Sequence, residues 1–89
     1  MSRPDRFRLD LLQAAHKASS LHRPSVEGSD KAGCFYCRSI YAPSLVDEWV
    51  DDDQTALCPK CGTDSVIGTA SGYPADDPNF LSAMRSLWF

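Results

Sequence analysis

The sequence predicts a small α+β domain, and three features carry that expectation. Two Cys-x2-Cys loops, Cys34-Phe35-Tyr36-Cys37 and Cys58-Pro59-Lys60-Cys61, stand twenty residues apart and hold all four cysteines of the 89-residue chain. Short runs of β-branched and aromatic residues flank both loops, and apolar residues recur at helical spacing near each end. A Cys-x2-Cys loop bends so that both sulfurs face one centre, and two such loops complete a tetrahedron around a Zn²⁺ ion. The expected architecture is therefore a zinc ribbon with rubredoxin-like knuckles, flanked by N- and C-terminal helices. One structural zinc per chain would sit on Cys34, Cys37, Cys58 and Cys61.

Length makes such a clasp useful, because a chain this short buries a small apolar core and commonly needs a further constraint. The formal charge is −3, and four thiolates around a divalent ion add about −2 more. An acidic domain is a poor default partner for nucleic acid. The charge is uneven, however: residues 1–31 carry six Lys/Arg against four Asp/Glu, and residues 32–89 carry three against eight. A polyanion would thus favour the N-terminal part. Charges at Arg3, Asp5, Arg6, Arg8 and Asp10 interrupt the start, and no apolar run reaches membrane-spanning length, so a cytoplasmic protein without membrane contact is expected. That setting favours metal over disulfides for the paired loops.

Residues 2–20 read as an amphipathic helix. Ser2 with Asp5 suits a capping box, Pro4 is tolerated in the first turn, and Phe7, Leu11, Ala14, Ala15 and Ala18 share a face. A polar loop follows from Ser19 to Lys31, with a turn of helix near Pro24 to Glu27. His16 and His22 read as surface or packing residues, since four cysteines already fill a structural zinc shell.

Beyond the first loop, the stretch from Arg38 to Tyr41 reads as a strand that Pro43 ends. Ser44 and Asp47 suggest a cap for a short helix reaching about Val50, with Leu45, Val46 and Trp49 on its apolar face and Trp49 over the zinc site. Asp51-Asp52-Asp53 lacks the spacing of a Ca²⁺ loop and reads as a solvated turn. Strands at Thr55-Ala56-Leu57 and Ser65-Val66-Ile67 would pair as a hairpin with Cys58 and Cys61 at its tip, where Gly62 supplies the positive φ of the turn. Asp77 caps a closing helix with Pro78 in its first turn, and Phe80, Met84, Leu87 and Trp88 form its stripe. Leu87-Trp88-Phe89 should then tuck into the core or a partner, because exposed they would make an unusual patch.

Several chemistries compete for the cysteines. An iron tetrathiolate shares the Cys-Pro-x-Cys-Gly loop, but the first loop is followed by Arg38 where a rubredoxin knuckle carries glycine. A thioredoxin-type dithiol needs a βαβ frame that this chain is too short to supply. Hydrolysis needs an open metal position, and four sulfurs close the shell. A nuclease-type treble clef pairs its loops with a downstream histidine, whereas His16 and His22 lie upstream. Asp64 and Ser65 could take a functional part, although a turn cap explains Asp64 equally. Nucleic-acid ribbons carry basic residues and exposed aromatics at the knuckles; only Arg38 and Lys60 are basic here, and Phe35, Tyr36 and Tyr41 suit core packing. The expected function is a non-enzymatic zinc-binding protein-interaction or regulatory module, with a protein partner or self-association and no evident small-molecule substrate. A nucleic-acid-associated zinc ribbon is the alternative.

Several segments together resemble a group of small bacterial zinc-ribbon proteins known simply as cytoplasmic proteins. They are Gly33-Cys-Phe-Tyr-Cys37, Pro43-Ser44 with Glu48-Trp49, Thr55-Ala-Leu-Cys-Pro-Lys-Cys-Gly62, Asp64-Ser-Val-Ile-Gly68, Ser71-Gly-Tyr-Pro74 and Trp88-Phe89. The resemblance spans residues 22–89 and implies a zinc-ribbon domain without implying an activity. Residues 1–21 fall outside it as an N-terminal amphipathic helical extension.

Metal binding at a four-thiolate site contributes on the order of 10–16 kcal/mol of apparent free energy, comparable to the stability of a whole domain. A strong chelator should therefore unfold the region after Gly33. Circular dichroism with and without chelator checks this, and an unchanged spectrum contradicts it.

Overall fold

The computed structural model describes residues 9–89. Helix α1 (Leu9–Lys17) leads into a short helix α2 (Arg23–Glu27), and then into strands β1 (Ala32–Cys34) and β2 (Ile40–Tyr41). After one 3-10 turn (Pro43–Leu45) come β3 (Trp49–Val50), β4 (Thr55–Ala56) and β5 (Val66–Gly68). A second 3-10 turn (Thr69–Ser71) precedes the closing helix α3 (Pro78–Trp88). The strands form two antiparallel sheets, one ordered β2-β1-β5 and one made of β3 and β4. Helices with small antiparallel sheets make the α+β class. Among the described residues no helix is long and apolar enough to cross a membrane.

The period-2 alternation of a strand explains how the larger sheet is buried on both faces. On one side Ala32, Cys34, Tyr41 and Val66 join Val46, Ala56 and Cys58 in a cluster, with Trp49 half-buried against it. On the other, Phe35 and Ile67 meet Leu12 and Ala15 of α1 and Phe80, Leu81 and Met84 of α3. Gly33 lets these layers close: a Cβ there would lie 2.2 Å from the Ala75 carbonyl oxygen and 3.0 Å from a Leu81 methyl. Helix α1 is thus packed into the same body as α3.

Both helices bury a face shifted from the expected one. In α1, Leu12 and Ala15 are buried and Ala14 is exposed; Ser2, Pro4, Asp5 and Phe7 lie outside the described residues. In α3, Asp77 accepts from the Asn79 amide at 2.9 Å and Pro78 opens the first turn, as expected, yet Leu81 is buried while Leu87 and Trp88 are exposed.

Two expectations fail, for one reason. The helix expected over residues 44–50 is absent: a single 3-10 turn ends at Leu45, and Trp49 and Val50 pair with Ala56 and Thr55. Asp51, Asp52 and Asp53 take φ of 56°, 59° and 65°, the left-handed region that a right-handed helix cannot pass through and that Asp tolerates better than most residues. They form the exposed hairpin turn, so β4 takes β3 as its partner and leaves β5 to pair with β1. The expected β4–β5 ladder is therefore not formed.

His22 locks the elbow between α1 and α2 onto β4. The ring is buried; Nδ1–H donates to the Ala18 carbonyl at 2.6 Å, and Nε2 accepts from the buried Ala56 amide at 3.0 Å. The Leu21 amide, at a residue with φ 49°, donates to Thr55 Oγ1 at 2.8 Å. Burial lowers the pKa of His22, against the opposing effect of the Ala18 hydrogen bond. This histidine is therefore held neutral, and it stabilises the fold fully above the unfolded-state value and progressively less as pH falls below it. His22→Ala should cost about 2 kcal/mol, mostly by orphaning the Ala56 amide. In urea titrations the wild-type advantage should be largest above about pH 6.5 and shrink below it. A pH-independent difference would contradict this assignment.

Candidate metal centre

The two cysteine loops share one pattern of backbone bonds. In the first, the Cys34 amide donates to the Ser39 carbonyl at 3.0 Å and the Arg38 amide to the Cys34 carbonyl at 2.7 Å. In the second, the Cys58 amide donates to Thr63 at 3.0 Å and the Gly62 amide to Cys58 at 2.8 Å. The amide two residues after each leading cysteine donates to its sulfur: Tyr36 to Cys34 Sγ and Lys60 to Cys58 Sγ, both at 3.3 Å. The residue after each second cysteine is left-handed, with φ 64° at Arg38 and 80° at Gly62. Such a residue turns the chain sharply enough for the amides to face sulfur. Arg38, which set the first loop apart in sequence, takes the conformation a glycine would.

These paired turns bring Cys34, Cys37, Cys58 and Cys61 together with all four sulfurs within 4.8 Å of one another. The Cys34–Cys61 sulfurs are 3.6 Å apart and the Cys37–Cys58 sulfurs 3.7 Å. A tetrahedron with metal–sulfur bonds near 2.3 Å has edges of about 3.8 Å, whereas a disulfide needs about 2.05 Å. All four are free thiols. The site can therefore hold one metal ion, and every sequence-predicted ligand is in it. Among the described residues no other group of His, Cys, Asp or Glu converges in this way. His16 stands apart, its ring 4.1 Å from that of Trp88, and both ring nitrogens of His22 are taken by backbone.

The surroundings fit an ion held by thiolates. Burial pushes the Cys34 thiol up to about 12, opposed by Ser65 and by the Cys37 and Tyr36 amides; Ser65 Oγ lies 3.0 Å from its sulfur. Burial also acts to raise Cys37, but hydrogen bonds from Ser39 outweigh it and bring that thiol down to about 7. A bound cation reverses the burial effect, because it stabilises the thiolate directly. Tyr41 supplies independent support. Its hydroxyl is buried without a hydrogen-bond partner among the described residues, and its pKa is raised by burial and then by Cys58. A metal-bound thiolate at Cys58 would give that phenol the acceptor it lacks.

Ser65 and Tyr41 are supporting residues that no motif singled out. Ser65 was a candidate only by nearness to the second loop, and Asp64 beside it is exposed. Tyr41 was a possible base-stacking residue; its burial removes that role, as burial does for Phe35.

The fold and site together define the class: an α+β domain with a four-cysteine centre competent to hold a metal ion. Comparison with protein-family models, curated proteins and solved structures gives no match to this chain.

The left-handed positions predict opposite responses in the two loops. Arg38→Gly relieves left-handed strain and should gain about 0.5 kcal/mol, whereas Gly62→Ala, with open space around it, should lose about 1 kcal/mol. Denaturant midpoints of the metal-loaded variants check both signs.

Proposed function

We propose that this protein is a non-enzymatic zinc-binding module that works through contact with a protein partner. The four-cysteine set prefers a soft, tetrahedral ion, and zinc fits it without redox demands. A shell closed by four sulfurs leaves no position at which an ion could activate water, so the metal's part is structural.

One observation carries the interaction reading: a set of exposed aromatics held rigidly at the first metal loop. Tyr36, Trp88 and Phe89 remain 39%, 37% and 59% exposed. Their rings are nevertheless fixed. Phe89 packs edge-on against Tyr36 at 4.8 Å and lies 5.8 Å from Phe35, and Trp88 rests on His16. The Arg85 guanidinium lies 4.7 Å from the Tyr36 ring and hydrogen-bonds the Tyr36 carbonyl. Pre-ordered aromatics with an arginine are the composition of binding hot spots, since little side-chain entropy remains to be lost. Of the two places expected for Leu87-Trp88-Phe89, the core or a partner, the core does not take them, and they stay exposed. The resemblance to small bacterial cytoplasmic proteins includes Trp88-Phe89, consistent with a role for this end.

A second reading has one observation in its favour. Arg38 and Lys60 lie in or beside the loops and Arg85 covers Tyr36, so all three basic residues after Lys31 belong to the knuckle region. With Tyr36 exposed, this suits a nucleic-acid-associated ribbon.

Metal analysis of the purified chain should find one zinc per chain and no red ferric colour. With tagged wild type and Trp88→Ala/Phe89→Ala as baits, the wild type should capture a protein partner or itself. The variant, with unchanged zinc content, should bind at least about ten-fold more weakly. Equal capture by both contradicts the patch. Salt-sensitive retention on heparin together with loss of the protein partner would favour the second reading.

A further inference from the structure

The four sulfurs are alike in the sequence and unlike in their surroundings. Cys34 and Cys58, the leading residue of each loop, are buried; Cys37 is half-buried, and Cys61 is exposed. Hydrogen-bond donors follow the same order. Cys34 receives the Tyr36 and Cys37 amides, with Ser65 Oγ 3.0 Å away. Cys58 receives the Lys60 amide and lies beside the Tyr41 phenol. Cys37, the counterpart of Cys61 in the other loop, is hydrogen-bonded by Ser39. Cys61 is exposed, and its sulfur is 3.6 Å from that of Cys34. No atom comes within 4 Å of a Cβ built on the adjoining Gly62, so the approach to this side of the second loop is open.

Donors and burial both reduce a thiolate's reactivity, the first by drawing off electron density and the second by denying access. Cys61, being exposed, escapes the second. We propose that Cys61 is the sulfur through which peroxide-class oxidants enter the metal centre, and that a Cys34–Cys61 disulfide forms and frees the ion. The proposal rests on the metal-site reading above. In the first step the Cys61 thiolate gives two electrons to hydrogen peroxide. The O–O bond breaks, one oxygen stays on sulfur as sulfenic acid, and the other leaves as hydroxide and becomes water on protonation. In the second step the Cys34 thiolate attacks that sulfur, the S–S bond forms, and a second hydroxide leaves as water. One peroxide is thereby reduced to two waters by two thiolates. Cys37 and Cys58 remain, too few to keep a tetrahedral ion.

The test uses the full-length wild-type chain loaded with zinc, its metal content measured first. Substoichiometric hydrogen peroxide is added with dimedone as a sulfenic-acid trap, and parallel samples without trap are alkylated and mapped by peptide mass spectrometry. A zinc-binding dye follows release. Dimedone should mark Cys61 at least about ten-fold over each of the other three cysteines. Without trap, a Cys34–Cys61 linkage should appear in step with zinc release. First marking at Cys37, even marking of all four, or a disulfide excluding Cys61 overturns the proposal while leaving the metal reading intact. A chain that holds no ion before peroxide is added overturns both.

Discussion

The convergence of four sulfurs is the constraint on which the architecture depends. The two sheets share no backbone ladder: β1 pairs with β2 and β5, and β3 pairs only with β4. Cys34 is the last residue of β1, and Cys58 follows β4 by two positions. An ion bound by both loops therefore ties the larger sheet to the smaller hairpin at a point where no ladder among the described residues joins them. The apolar cluster containing Cys34, Cys58, Ala56, Val66 and the larger Tyr41 fills the same seam. The clasp thus supplies attraction where no backbone ladder among the described residues joins the two sheets.

From the centre the constraint passes to the helices through Phe35. This residue lies inside the first loop, between Cys34 and Tyr36, yet it is fully buried among Leu12, Ala15, Phe80, Leu81 and Met84. Strand alternation explains the arrangement: Cys34 faces the metal side, and the next residue faces the helical side. The Phe35 amide also donates to the Ser65 carbonyl at 3.0 Å, while the Ser65 hydroxyl lies against Cys34. Ser65 therefore contacts both the loop and one of its ligands. Tyr36, one residue on, carries Phe89 and Arg85 on the outside. Metal side, helical core and displayed aromatics are consecutive residues of one chain segment.

Much of this was legible because local chemistry decides it. The ligands follow from cysteine spacing, the positive φ of Gly62 from the knuckle turn, and the α3 start from Asp77-Pro78. The failures share a different cause. Ser44 and Asp47 gave a fair local signal for a helix, but left-handed aspartates at 51–53 reverse the chain, and Trp49 and Val50 gain a partner in β4. Strand choice was a contest between distant segments, which no window of sequence contains. His22 was judged by its absence from the ligand set; its actual partners, Ala18 and Ala56, are backbone groups that leave no trace in residue type. Leu12 and Leu81 differ from the expected faces by one position, the error expected when an apolar stripe is phased without knowing what it packs against. Arg38 shows the opposite lesson. Its side chain argued against an iron-type rubredoxin loop, and its backbone takes the left-handed turn that a glycine there would.

Charge placement bears on which partner the displayed surface suits. A four-thiolate site with a divalent ion carries about −2, and in a part of the chain otherwise dominated by carboxylates its neighbours include Arg38 and Lys60. Cations so placed offset the thiolate charge before they are available to an external polyanion. Arg85 is committed as well, to the ring and carbonyl of Tyr36. Binding of a nucleic-acid strand gains from releasing many counterions along a basic track. Three cations, one of them committed to Tyr36, make a poor track, and Asp64 stands beside the second loop. A compact protein surface asks less: it needs a few ordered apolar anchors and local complementarity at the rim. Tyr36, Trp88 and Phe89 meet the first requirement, and Arg85 beside Tyr36 serves the second without having to offset a long chain of phosphates.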